Sequence, residues 1–152
     1  MSPDSLKHQL LTECYRYVEL RVATAKQSMD NAQQAANEEG KSSAGDKYET
    51  GRAMMQIERD KAAHQLNEAI KLKNVLDQIS SEGRVDKIVL GSLVITSTKK
   101  IFISIGIGKL NFAGEDFLVV APSSPLGIAL MGLKKGDQIT FNKEAITIVE
   151  IG

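Results

Sequence analysis

The chain has 152 residues, of which 42% are hydrophobic and 25% charged, and this composition indicates a folded protein rather than a disordered one. Its 19 lysines and arginines balance its 19 aspartates and glutamates, so the net charge is zero and the attraction that supplies most non-specific nucleic-acid binding is absent. The single cysteine, Cys14, excludes an internal disulfide and a zinc site made of paired cysteines. No stretch of the sequence approaches the roughly 18 apolar residues of a membrane span. We therefore expect a cytoplasmic protein without membrane contacts.

The first predicted element is a long helix from Ser5 to about Glu39, a stretch without glycine or proline. Apolar or small residues recur in it at alternating spacings of four and three, namely Leu11, Tyr15, Val18, Val22, Ala25, Met29, Ala32 and Ala36. Such a heptad seam is typical of a helix that packs along another helix. Cys14 lies within this apolar stripe, so we predict that it is a small buried hydrophobe and not a reactive thiol.

A second helix is predicted from Asp46 to about Ser80, with a seam that Arg59 and Lys73 interrupt. The seam residues are Met55, Ala62, Leu66, Ala69 and Leu76. Two helices of this length predict a rod on the order of 50 Å long. Because only about six residues link them, we predict an antiparallel coiled-coil hairpin over residues 1–80, with its tip at about residues 40–49.

Residues 81–152 are predicted to form a second, β-rich domain, because the composition there changes to Ile, Val, Leu, Phe, Gly and Thr. Ser124 fits the N-cap, Pro125 the first turn and Gly132 the C-terminal stop of one short helix. The fold class is therefore α+β. The predicted strands are Lys87–Thr96, Lys100–Ile105, Asp116–Ala121, Asp137–Asn142 and Ala145–Glu150.

Two parts of the sequence resemble the Gre-type transcript cleavage factors, which are bacterial elongation factors that act on RNA polymerase. The family has the pattern Ser-Pro-(x)-(x)-(x)-Ala-(x)-(x)-Gly, then (x)-Gly-Asp, and then a final valine-rich strand. This sequence has a similar pattern in the run Ser124–Gly132, in Lys135-Gly136-Asp137 and in the terminal Ile148-Val149-Glu150-Ile151. Gly45-Asp46-(x)-(x)-Glu49 resembles the Gly-Asp-(x)-(x)-Glu of the family's hairpin tip. The order of the domains agrees over nearly the whole chain.

The resemblance implies a specific function. The coiled coil would enter the secondary channel of RNA polymerase, while an FKBP-like C-terminal domain docks at the rim of the channel. Asp46 and Glu49 would help to hold the second Mg²⁺ of the polymerase and promote cleavage of backtracked RNA. The chain would be an accessory factor and not an enzyme, with no cofactor of its own and with nucleic acid reached only through the polymerase. Candidate polymerase contacts are Ser124, Pro125, Lys134 and Lys135.

Three alternatives remain open. Asp46 followed by Glu49 is close to a capping box, in which the acids satisfy backbone N–H groups at the helix start. Lys47 opposes a cation beside Asp46 by like charge, which favours a Gre-like regulator that occupies the channel without stimulating cleavage. An FKBP-like domain also suggests a prolyl isomerase or chaperone, for which the β domain offers four aromatic residues, Phe102, Phe112, Phe117 and Phe141.

Overall fold

The computed structural model describes residues 3–39, 45–80 and 86–152, and the side chains of residues 5–38, 51–80 and 86–152. Two long helices come first and a mixed sheet with one short helix follows, so the predicted α+β class is confirmed. The elements are α1 (Pro3–Glu39), α2 (Gly45–Asp77), β1 (Leu93–Thr96), β2 (Lys100–Ile103), β3 (Gly108–Phe112), β4 (Glu115–Val120), α3 (Pro125–Leu130), β5 (Gln138–Phe141) and β6 (Glu144–Ile151).

The two long helices pack together, and the predicted seam residues of both are buried or half-buried. In the compact unit Arg16–Lys73, the buried seam positions are mostly alanine, and the larger seam residues are half-buried. Arg59 and Lys73, which interrupt the second seam, are exposed. The buried positions are Val18, Ala25, Ala32, Ala62 and Ala69. Small side chains at these positions allow the two backbones to approach closely.

Helix α2 ends at Asp77, three residues before the predicted end. The N–H groups of Gln78 and Ile79 donate to the carbonyls of Val75 and Leu76, at 3.1 and 3.0 Å. Each bond joins residues three positions apart, so the chain after α2 forms a 3₁₀ turn. This turn supplies hydrogen-bond donors to carbonyls at the end of the helix that would otherwise have none within it.

The sheet has six strands in the order β3-β4-β2-β1-β6-β5, and only β2 and β4 pair in parallel. The predicted set of five strands was wrong in two respects. Strand β3 was missed, and the predicted strand Lys87–Thr96 is a strand only from Leu93 onward. Before Leu93 the chain turns, because the N–H of Ser92 donates to the carbonyl of Val89 at 3.0 Å, and Gly91 has a φ of +91°.

Both faces of the sheet carry buried residues in the central strands. On one face the core cluster joins Val94, Ile101 and Ile148 of the strands to Leu126 and Leu130 of α3. Residues that alternate with these along the strands point to the other face and are buried as well: Leu93, Phe102, Phe117 and Val119. On that second face the Sγ of Cys14 in α1 lies 3.6 Å from the Oγ of Ser104, which follows β2.

The base of the helical hairpin belongs to the same compact unit as the sheet, a unit that comprises Met1–Tyr15 and Asn74–Gly152. Leu10, Cys14 and Leu76 are completely buried in it. The predicted boundary between residues 80 and 81 falls beside residues 81–85, which lie outside the described part, and it stays a prediction. Within the described residues, neither long helix contains a segment apolar enough to cross a membrane.

Candidate functional site

The predicted tip acids lie at the start of α2. The helix begins at Gly45, one residue earlier than predicted, so Asp46 and Glu49 fall in its first two turns. Their spacing of three residues brings their Cα positions to the same side of the helix. The side chains of residues 39–50 lie outside the described part of the chain. The metal-binding role and the capping role of Asp46 and Glu49 therefore both stay predictions.

Ser124 caps the short helix α3, as predicted. Its backbone is extended, with φ −69° and ψ 159°, and its Oγ accepts the N–H of Gly127 at 3.0 Å. The same hydroxyl donates to the carbonyl of Ala121 at 2.6 Å, and Pro125 occupies the first turn. Both bonds of the Ser124 hydroxyl are internal to the domain. Its observed role is therefore to fix the start of α3, and its predicted role as a polymerase contact stays a prediction.

Gly127 explains why the loop before α3 can approach the helix so closely. A Cβ on Gly127 would lie 2.1 Å from the carbonyl oxygen of Ala121 and 2.9 Å from that of Pro122. No side chain fits into that space. The Ser124–Gly132 motif thus contains two residues, Ser124 and Gly127, that set the position of α3 through local backbone contacts.

Lys134 and Lys135 lie in the tight turn that precedes β5. The carboxylate of Asp137 accepts the backbone N–H of Lys134 at 2.8 Å, and the N–H of Asp137 donates to the carbonyl of Lys134 at 3.0 Å. Lys134 also faces Lys87 directly in an isolated antiparallel bridge. The structure thus adds Lys87 to the two predicted lysines, and only the pairing across the bridge reveals it.

Two exposed apolar side chains shortly precede Lys134 and Lys135 in the chain. Ile128 of α3 is 66% exposed and Met131, at the C-cap of the helix, is 37% exposed. They are three residues apart and so lie one helical turn from each other. We call the five residues Ile128, Met131, Lys87, Lys134 and Lys135 the α3 surface. A signal for it was present in the sequence, because Ile128 is out of phase with the buried pair Leu126 and Leu130.

The lysines of the α3 surface, like Lys143, differ from three other lysines of the β domain, which form ion pairs. Lys99 pairs with Glu144 at 3.5 Å and Lys100 with Glu115 at 2.7 Å, and Lys109 pairs with Asp116 at 3.3 Å. Within the described residues, the ammonium groups of the α3 surface take part in no ion pair. Their charges are consequently available to another molecule.

The four phenylalanines of the β domain are distributed over both faces of the sheet. Phe102 and Phe117 are buried on the face of the sheet that contacts Cys14, whereas Phe141 packs against the core cluster on the opposite face. Phe112 is half-buried at the end of the edge strand β3. The prolyl isomerase alternative stays a prediction.

Neither a comparison with protein-family models nor one with curated proteins gives a match for this chain. Within the described ranges, no group of three or more His, Cys, Asp or Glu side chains is arranged to hold a metal ion. The two histidines of the sequence, His8 and His64, are exposed on different helices. What the chain does is therefore inferred from the helical hairpin, the position of the tip acids and the α3 surface.

Proposed function

We propose that this protein is an RNA polymerase-binding factor of the Gre type, which enters the secondary channel and promotes cleavage of backtracked RNA. The observation that carries the proposal is the pair of long packed helices whose junction is followed directly by Asp46 and Glu49, at the start of α2. A slender helical hairpin has no enclosed site of its own, but it suits insertion into a channel of a larger partner. In this reading the β domain has the FKBP-like fold and docks at the rim.

The tip would have to supply oxygen ligands for one metal ion and orient a water, and two carboxylates can do both. A second metal in a phosphoryl-transfer site takes hard oxygen ligands, retains several waters and stabilises the attacking oxygen. Asp46 and Glu49 would complete its ligand shell and orient a water, while the polymerase supplies the remaining groups. Their position in the first turns of α2 is also where a helix favours negative charge.

The test is a cleavage assay on backtracked elongation complexes. The wild-type protein is expected to accelerate RNA cleavage. The double variant Asp46→Asn/Glu49→Gln is expected to lose on the order of 100-fold in that rate, as is typical when a charge-stabilising group is removed. A matched control, Glu58→Gln/Asp60→Asn, neutralises two exposed acids farther along α2 and should cleave like the wild type.

Channel occupancy is measured separately, by competition with a known secondary-channel factor. Competition without cleavage by the wild type would identify a channel regulator, the reading that Lys47 beside Asp46 favours. In that case the tip variants should leave competition unchanged. Absence of both cleavage and competition would refute the whole proposal.

A further inference from the structure

Strand β3 forms one edge of the sheet. It pairs with β4 on one side in a continuous register, and no other strand of the described residues pairs with its second side. Its 5 residues contain no proline and span roughly 17 Å. An edge of this kind presents backbone groups to which a further strand can bind.

The turn that follows β3 determines how the strand bonds to β4. The loop consists of Ala113 and Gly114, whose φ angles of +53° and +79° are both positive, as in a type I′ turn. The residues that flank such a two-residue loop form a hydrogen-bonded pair. Phe112 therefore exchanges backbone hydrogen bonds with Glu115 of β4.

The backbone groups on the outer side of β3 follow from this pair. Hydrogen-bonded and non-hydrogen-bonded pairs alternate along an antiparallel ladder. Leu110 therefore bonds to β4 as Phe112 does. The N–H and C=O groups of Lys109 and Asn111 point away from β4, toward the outer side of the sheet.

A second copy of β3 fits this edge over the full length of the strand. Antiparallel pairing about a two-fold axis at Leu110 brings Lys109 opposite Asn111 of the second copy, and Asn111 opposite its Lys109. Each outward-facing N–H then meets an outward-facing C=O. An axis at Lys109 or at Asn111 would leave part of each strand unpaired.

On one face of the sheet this pairing joins apolar side chains. Leu110 and Phe112 are half-buried, and Leu110 lies opposite the buried Phe117 of β4. In the pair of copies, Leu110 opposes Leu110 and the ring of Phe112 faces Gly108. Because glycine has no side chain, it leaves room for the ring, and an aromatic residue that covers a glycine across two strands stabilises their pairing.

On the other face the pairing joins opposite charges. The Nζ of Lys109 lies 3.3 Å from Oδ2 of Asp116, and the amide of Asn111 donates to Oδ1 of the same carboxylate at 3.0 Å. Across the pair, Lys109 faces Asn111 of the second copy and, one strand farther on, its Asp116. Strands lie about 4.8 Å apart, so this carboxylate is within reach of a lysine side chain.

Lysine on an edge strand ordinarily discourages pairing of edges. Here the register about Leu110 keeps Lys109 away from Lys109 of the second copy and places it beside an acid. The edge is thus complementary to itself in backbone hydrogen bonds, in shape and in charge. These three properties identify a second copy of the chain as the occupant.

We propose that β3 is a self-association surface, through which two copies of this chain pair edge to edge and join their sheets into one. The contact involves 5 residues of each copy. Because such an interface is small, the dimer is reversible, with a dissociation constant on the order of 100 μM. The inference goes beyond the proposed function and does not depend on RNA polymerase.

The first experiment is sedimentation equilibrium of the full chain between about 10 μM and about 1 mM. The protein is expected to change from monomer to dimer over this range. Amide hydrogen exchange then locates the contact. The amides of Lys109 and Asn111 should exchange about fivefold more slowly at the highest concentration, where about four fifths of the chains are dimeric. The amide of Thr140, in the opposite edge strand β5, should exchange at a constant rate.

The second experiment removes one outward-facing N–H with Asn111→Pro. An edge strand tolerates proline where its N–H points outward, because the hydrogen bonds to the neighbouring strand remain. Thr140→Pro is the matched control. Thr140 precedes Phe141, which flanks a second two-residue loop with positive φ at Asn142 and Lys143, so its N–H points away from β6 in the same way. Both variants should unfold at similar temperatures, and only Asn111→Pro should abolish dimerisation.

The third experiment exchanges the charges between copies. Lys109→Glu places an acid beside Asp116 of the second copy, and Asp116→Lys places a second lysine beside Lys109. Each variant alone is expected to dimerise at least about tenfold more weakly than the wild type. An equimolar mixture should regain most of the affinity, because one copy then presents two acids at these positions and the other presents two lysines.

Three outcomes would overturn the proposal. The first is a wild-type protein that stays monomeric at about 1 mM. The second is a dimer that protects amides elsewhere and leaves those of Lys109 and Asn111 unprotected. The third is a mixture of the charge variants that associates no better than either variant alone. The RNA cleavage assay is run at about 1 μM, where the chain is monomeric, so failure of either proposal leaves the other intact.

Discussion

The hydroxyl of Tyr15 donates a hydrogen bond of 2.5 Å to Oδ1 of Asp77, and so joins α1 to α2 at the base of the helical hairpin. The two residues lie 62 positions apart in the chain. The hydrogen bond to Asp77, followed by burial and by the charge of Asp77, raises the pKa of Tyr15 to about 12. This contact closes the hairpin at the point where both helices belong to the same unit as the sheet.

Replacing Tyr15 with phenylalanine is expected to lower the free energy of unfolding by about 0.5–1 kcal/mol at pH 7. The loss is that of one partly exposed hydrogen bond to a charged acceptor, discounted for solvent screening. Chemical denaturation followed by circular dichroism measures it. Tyr17→Phe is the control, because the hydroxyl of Tyr17 accepts a hydrogen bond from Arg21 of its own helix. Equal losses of unfolding free energy in Tyr15→Phe and Tyr17→Phe would contradict a stabilising role of the Tyr15–Asp77 hydrogen bond.

The same contact predicts a dependence on alkaline pH. Because the pKa of Tyr15 is raised above its ordinary value of 10.0, folding favours the protonated hydroxyl. The resulting stabilisation is complete below pH 10 and disappears as the pH rises through about 12. The difference in unfolding free energy between wild type and Tyr15→Phe should therefore be constant up to about pH 10 and shrink above it. A constant difference across that range would contradict the assignment.

Gly91 is expected to tolerate no side chain. Its φ is +91°, and a Cβ there would lie 2.7 Å from Cγ2 of Ile79, just after the end of α2. Gly91→Ala combines backbone strain of about 1–2 kcal/mol with a steric clash, and we expect a total loss of roughly 2–4 kcal/mol in unfolding free energy. Thermal and chemical unfolding measure it.

Gly114→Ala is the matched control for this prediction. Gly114 also has a positive φ, +79°, but no atom lies within 4 Å of the position of its added Cβ. It therefore measures the backbone strain without the clash. A Gly91→Ala loss no larger than that of Gly114→Ala would show that the approach of Ile79 is readily relieved.

Local patterns predicted the parts of the fold that depend on neighbours in sequence. Every seam position of α1 is buried or half-buried, because helical periodicity places these positions on one side of the helix. Ser124 was recognised as a cap because the cap, Pro125 and Gly132 are a signal contained within nine residues. These features need no knowledge of what lies across the fold.

Features that depend on distant pairing could not be predicted in this way. Strand β3 lies at the edge of the sheet, and only its pairing with β4 marks it as a strand. The turn at Val89–Gly91 depends on the side chain of Ser92, which accepts the N–H of Val89 at 2.9 Å. In the candidate site, Lys87 joins Lys134 across a bridge that no local pattern indicates.

Cys14 is expected to react very slowly with thiol reagents in the folded protein. Burial raises the pKa of the Cys14 thiol, the hydrogen bond with Ser104 opposes that shift, and the charge of Glu13 adds to it. The thiol is fully buried. Its reaction with a disulfide reagent at pH 8 should therefore require opening of the structure and run at least about 100-fold slower than in denaturant. A rate close to that of the denatured chain would show that the base of α1 opens readily.

Ser124→Ala tests whether Ser124 acts as a cap or as a direct contact with a partner. The variant loses the bonds to Gly127 and Ala121, and we expect it to lose about 1–2 kcal/mol in unfolding free energy. Ser124→Asp retains an acceptor for the N–H of Gly127 and should recover most of that loss. Ser123→Ala alters the exposed neighbouring serine and should change neither stability nor binding.

Polymerase binding by the Ser124 variants then distinguishes the two roles. If Ser124 acts by fixing α3, affinity should follow stability, falling in Ser124→Ala and returning in Ser124→Asp, because α3 belongs to the β domain that docks on the polymerase in the proposed function. If the hydroxyl itself contacts the partner, Ser124→Asp should remain defective in binding although its fold is restored. The internal bonds of the Ser124 hydroxyl favour the first outcome, since the lone hydroxyl proton is already donated to Ala121.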